Sequence, residues 1–127
     1  MRKTVEELRE QLERYIASDP SDEGDYDAGA DIWEILGLMS YNGQVDEDFI
    51  YVIEAMLESV DAGFTTSIAE RTGWPPEYPE LIKYILCSCG LAEYGTSPRG
   101  AWIDHSLQRI MPKVLERWRK QLDFVPA

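Results

Sequence analysis

A mostly α-helical fold with one short β-hairpin is what this sequence predicts, on three observations. Apolar residues recur at helical spacing along most of the chain. Helix-capping and helix-stopping residues bracket those runs. Strand-like segments occur only on either side of a turn-rich tip, Gly95 to Gly100. With 127 residues, 44% of them apolar, the chain is one domain's worth. A chain of that length buries about two-thirds of its unfolded surface and needs no metal or disulfide to stay folded.

Thr4, with Glu7 three residues on, reads as a capping box. Val5, Leu8, Leu12, Tyr15 and Ile16 follow at helical spacing, which predicts a first helix over about 4–17. Residues 18–29 are charged, hold Pro20, Gly24 and Gly29 and have no apolar period, so they read as a linker. A second helix is expected over about 30–40, with Ile32, Trp33, Leu36 and Met39 inward and Asn42-Gly43 ending it in a turn. Asp46 is the expected N-cap of a third helix carrying Phe49, Ile50, Ile53, Met56, Leu57 and Val60 and closed by Gly63.

A short helix from Ser67 to Thr72 then meets a forced break at Gly73-Trp74-Pro75-Pro76. A fifth helix over about 77–89 is expected to bury Leu81, Ile82, Ile85, Leu86 and Cys89, with Gly90 as its stop. Leu91 to Tyr94 and Ala101 to Ile103 are the strand candidates. Asp104 or Ser106 is the expected cap of a last helix reaching about Leu122. Its inner face would be Leu107, Ile110, Met111, Val114, Trp118 and Leu122.

From Asp46 onward the order is helix, short helix, turn, helix, hairpin, helix. Two segments carry a likeness: Ser67-Ile68-Ala69-Glu70-Arg71-Thr72-Gly73, and the run from Cys89 to Ile103. Over somewhat more than half the chain they resemble the winged helix-turn-helix family, common among bacterial transcription regulators. The expected organisation is a single domain over 1–127, a helical acidic N-terminal part to residue 45 followed by a winged-helix-like part over 46–122. The resemblance implies that Ala69 lets helices approach, that Gly73 makes the turn and that Arg99 sits at a wing tip suited to the minor groove. It also implies a last helix used for dimerisation.

The departures bear on function. The family's apolar anchor falls here at Pro79, which shifts the anchor to about Ile82 and makes the turn longer and stiffer. The helix in the recognition position would present Glu77, Tyr78, Glu80, Lys83 and Tyr84. A DNA reader needs cations and amides aimed at phosphates and base edges, and two carboxylates at the approaching end oppose both.

Charge is unevenly spread. Between Tyr15 and Glu70 there is no lysine or arginine but there are 14 acidic residues, while the whole chain carries −12. Such asymmetry shapes partner choice and encounter rate: it repels nucleic acid and anionic membranes and attracts basic surfaces. No basic, apolar leader opens the chain and no apolar stretch is long enough to span a bilayer, so a cytoplasmic protein off the membrane is expected.

Catalytic machinery is not expected. His105 stands beside Asp104, but no serine or cysteine has a nucleophile motif around it. Cys87 and Cys89 lack the Cys-x-x-Cys spacing of a redox pair and read as buried thiols. Asp22, Glu23, Asp25, Asp27 and Asp31 cluster as in oxygen-rich calcium loops, but the EF-hand spacing fails. With one histidine, a zinc site lacks ligands, and no glycine-rich phosphate loop is present. No cofactor is expected.

What is left is binding. The expected function is a non-enzymatic module, immunity- or inhibitor-like, whose acidic surface occupies a basic protein partner; DNA mimics share that composition. Its candidate contacts are Asp22, Glu23, Asp25, Tyr26, Asp27, Asp31, Trp74, Glu77, Tyr78 and Glu80, with aromatics as anchors and acids steering. The competing expectation is a dimeric winged-helix regulator binding DNA through Arg99, Lys83, Arg109, Lys113 and Arg117.

Overall fold

The computed structural model describes residues 3–21, 31–39, 42–58, 64–94 and 101–124. Within them the chain is mostly helical with one short antiparallel hairpin. In order, the elements are α1 (Val5–Ala17), α2 (Ile32–Ile35), α3 (Gly43–Glu58), α4 (Phe64–Thr72), α5 (Glu77–Cys89), β1 (Ala92–Tyr94), β2 (Ala101–Ile103) and α6 (Met111–Asp123). They gather into two compact units, residues 1–40 with 106–127, and residues 41–105. In this grouping α6 belongs with α1 and α2.

The first unit closes around one face of each of its helices. Leu8, Leu12 and Tyr15 of α1 are buried, as are Ile32, Trp33, Ile35 and Leu36 around α2 and Leu107, Met111, Val114, Leu115 and Trp118. Each such side chain contributes about 1.5–3 kcal/mol by leaving water. Trp33 and Trp118 meet edge to face, 5.9 Å between ring centroids. The Tyr15 hydroxyl donates to Gln121 Oε1 at 2.6 Å, which gives the buried ring's polar end a partner.

Two helices here begin or end elsewhere than the sequence suggests. α2 is four residues long, because Gly37 takes φ 75° and the Leu38 N–H turns back to the Trp33 carbonyl at 2.8 Å. This left-handed glycine stop leaves Met39 85% exposed instead of inward. α6 starts at Met111, and residues 105–110 form successive turns ahead of it. Pro112 is the reason: it has no N–H and fits only the first turn of a helix, so a helix from Asp104 or Ser106 would carry it inside.

In the second unit α3 packs against α4, α5 and β2, α4 against α5, and α5 against β1. β1 and β2 pair Ala92 with Ile103, Glu93 with Trp102 and Tyr94 with Ala101. The core is Phe49, Ile50, Val52, Ile53 and Met56 with Ile68, Ala69, Ile82, Leu86, Cys87, Leu91, Ala92, Ala101 and Ile103. α3 begins at Gly43, and Asn42, not Asp46, accepts from the Val45 N–H at 3.2 Å. Asp46 lies buried inside the first turn. α4 starts three residues ahead of Ser67, at Phe64, and ends at Gly73, whose φ is 78°. Gly63, Val60 and the tip 95–100 lie outside the described residues.

α5 has the expected limits but a rotated face. Its buried positions are Pro79, Ile82, Lys83, Leu86 and Cys87, a single stripe at helical spacing. Leu81 falls off that stripe and is 54% exposed, and Cys89 is half-buried. Burial of Pro79 sets this phase, since the proline occupies the first-turn position that faces the core.

Candidate functional site

The outer face of α5 follows from that rotation. Glu77, Glu80, Leu81, Tyr84 and Ser88 point to solvent. The only cation on the helix, Lys83, is 3% exposed, and its Nζ lies 3.0 Å from Glu80 Oε2. Its ammonium also sits 5.8 Å from the centroid of Tyr94, which is itself half-exposed on β1. Glu80 additionally accepts the Thr65 hydroxyl, which ties the start of α5 to α4. What remains outward is an acidic, apolar-aromatic surface without a lysine or arginine.

An aromatic edge continues from the N-terminal end of α5. Trp74 contacts Tyr78 at 5.0 Å and Tyr51 at 5.9 Å, both edge to face. Pro75 and Pro76 fix the chain between the Trp74 and Tyr78 rings. The Tyr78 hydroxyl donates to Asp48 Oδ2 at 2.6 Å, and Gln44 Nε2 donates to the other oxygen at 3.0 Å. Burial, then the hydrogen bond and charge of Asp48, raise the Tyr78 phenol above its ordinary 10.0. The phenol therefore stays protonated and donating across neutral pH.

The hairpin adds a pair of acids. Trp102 Nε1 donates to Glu93 Oε2 at 3.0 Å across the register. A hydrogen bond with Asp104, then burial, raise the Glu93 carboxyl above 4.5. Asp104 is buried, and its N–H donates to the Leu91 carbonyl at 2.9 Å instead of capping a helix. Among the described residues no group of three or more His, Cys, Asp or Glu side chains is placed to hold a metal. No helix among them is long and apolar enough to cross a membrane.

The candidate contacts scatter. Asp22, Glu23, Asp25, Tyr26 and Asp27 lie outside the described residues, as does Arg99. Asp31 serves its own helix: it accepts the Trp33 N–H at 3.1 Å as the N-cap of α2, and Gln121 Nε2 reaches it at 3.4 Å. Trp74, Glu77, Tyr78 and Glu80 do come together, in the second unit. Of the basic candidates, Lys83 is buried, and Arg117 is spent inside its own unit. The Arg117 guanidinium donates to the Ser18 carbonyl and hydroxyl and lies 4.4 Å from the Tyr15 ring centroid. Among the described basic candidates, Arg109 and Lys113 are exposed.

Sequence reading missed Leu81 and Tyr51 as surface groups. Spacing alone left two faces open on α5: Ile82 and Leu86 belong both to a stripe with Leu81 and Ile85 and to the observed one with Pro79, Lys83 and Cys87. Compared with family models, with curated proteins and with solved structures, the chain matches none of them.

Proposed function

We propose that this chain is a non-enzymatic, cytoplasmic binding module whose α5 face and Tyr51–Trp74–Tyr78 edge dock a basic protein partner, occluding it as an immunity or inhibitor protein does. The observation that carries the reading is the burial of Lys83, whose charge is taken up by Glu80, which leaves the outer face of α5 with Glu77, Leu81 and Tyr84 and no exposed cation. Tyr84, Leu81 and the edge aromatics would anchor, and the carboxylates would steer and select. The charge of the unit supports a cationic partner: residues 41–105 hold eleven acidic and three basic residues, a net −8. For a DNA reader, by contrast, phosphate contacts supply most of the affinity, and a helix face with two carboxylates offers none.

A winged-helix regulator binding DNA as a dimer is the second reading, favoured by the exposure of Arg109 and Lys113. The test is capture from host lysate with the full chain and with Leu81→Ser/Tyr84→Ser, alongside titration with random duplex DNA. A basic protein captured by the parent, lost with the double variant and lost at high salt, is the expected result. Micromolar duplex binding that falls steeply with salt would overturn the proposal in favour of the regulator.

A further inference from the structure

Two clefts open between α1 and α6 within the first unit. One, about 330 Å³, is lined by Arg9, Glu13 and Ile16 with Arg109, Ile110 and Lys113. The other, about 420 Å³, shares Ile16 and Lys113 and runs on to Arg117 and Lys120. In the first, three cations face one carboxylate, and that carboxylate, Glu13, lies 3.8 Å from Arg9. Among the described residues Arg109 and Lys113 have no ion-pair partner.

Their position makes this surplus costly to the chain. Lys113 is the third residue of α6 and Arg109 lies just ahead of the helix, which has no acidic residue in its first turn. Both charges thus stand at the positive end of the helix dipole, where carboxylates are favoured and cations opposed. The backbone there has little left to donate. Pro112 has no N–H, the Met111 N–H is bonded to the Leu107 carbonyl, and the Lys113 N–H to that of Ile110. Recognition would fall to the side chains, against an apolar wall of Ile16 and Ile110.

We infer that the Arg9–Arg109–Lys113 cleft binds a small ligand bearing a phosphate or pyrophosphate group. Arg109 offers a planar fork to two oxygens and Lys113 a point charge to a third, while the ligand's body rests on Ile16 and Ile110. The adjoining cleft is balanced by Asp19 and Glu116, with Lys120 3.6 Å from Glu116 and Arg117 bonded to Ser18, so the cationic surplus is confined to the Arg9–Arg109–Lys113 cleft. A concave site of this size suits a small molecule.

The probe is sodium pyrophosphate, titrated into the full chain at fixed low ionic strength by calorimetry and by amide chemical shifts. Adenosine diphosphate and a phosphorylated sugar then distinguish nucleotide from sugar as the bearer of the group. Saturable one-to-one binding is expected, with Kd on the order of 1 mM or tighter. It should weaken with salt and be lost several-fold in Arg109→Ala and in Lys113→Ala, with shifts confined to residues around 9–16 and 109–113. Lys120→Ala, in the neighbouring cleft only, should bind as the parent does. A linear, unsaturated response, or binding unchanged in Arg109→Ala/Lys113→Ala, would overturn the assignment. So would a random duplex that competes with pyrophosphate and binds far more tightly.

Discussion

Tyr78 and Asp48, thirty residues apart in sequence, are joined by a 2.6 Å hydrogen bond that ties the first turn of α5 to the first turns of α3. Asp48 is buried, so the phenol supplies a partner that water cannot easily replace. Tyr78→Phe should therefore destabilise the protein by about 1–3 kcal/mol in urea unfolding, the cost of leaving a buried acceptor short of a donor. Trp74 fluorescence should change with it, because the same ring packs on Trp74.

The bond also has a pH signature. The folded-state pKa of Tyr78 is raised above 10.0, so its contribution is complete below that value and is lost as pH rises through the folded pKa. The stability difference between parent and Tyr78→Phe should shrink in strongly alkaline solution and be constant across neutral pH. A difference that vanished between pH about 6 and 8 would contradict the assignment of the effect to this phenol.

Glu93 works in the acid range. Its carboxyl is raised above 4.5 by Asp104, so its favourable contribution is full below that value and fades as pH rises through the folded pKa. Glu93→Gln keeps a donor for Asp104 and an acceptor for Trp102 Nε1 without the charge. Its melting temperature should match or exceed the parent's at neutral pH and lose the part of the parent's pH dependence that sets in just above pH 4.5. Scanning calorimetry at several pH values reads this directly.

Arg117→Lys should cost about 1–3 kcal/mol despite keeping the charge, because lysine cannot donate in a fork to Ser18 or lie flat on Tyr15. Thermal unfolding of the variant would measure it. A loss near zero would mean that the Ser18 bonds are readily replaced by water.

Lys113→Glu should move stability the other way. A carboxylate at the start of α6 is worth about 0.3–1 kcal/mol over neutrality at low salt, so the unliganded protein should melt higher while pyrophosphate binding is lost. Gain of stability together with loss of binding is what a ligand site held against the helix dipole requires.

Local signals were legible where the chemistry is local. Thr4 caps α1, accepting the Glu7 N–H at 3.1 Å, and Gly73 and Gly90 end α4 and α5 with positive φ. The strands at Ala92–Tyr94 and Ala101–Ile103 were marked by the turn residues between them. What failed was arbitration between competing stops and phases. Gly37 outweighs the apolar period that continues to Met39, and Pro112 outweighs the caps at Asp104 and Ser106. Lys83 was unreadable as a buried residue because its cover, Glu80 and the Tyr94 ring, comes partly from another element. The engagement of Arg117, on sequence alone only a DNA-contact candidate, was unreadable for the same reason: its partner Ser18 is 99 residues away.

The grouping of α6 with α1 and α2 has a consequence for the order in which the chain matures. Residues 41–105 form a contiguous unit whose contacts can close as soon as that stretch has been synthesised. The other unit is split, and its Tyr15–Gln121 bond spans 106 positions, so Leu8, Leu12 and Trp33 must wait for Trp118 to emerge. Closing so long a loop is slow compared with local pairing. α1 is therefore made long before α6, and until α6 emerges the apolar stripe of α1 lacks that part of its cover.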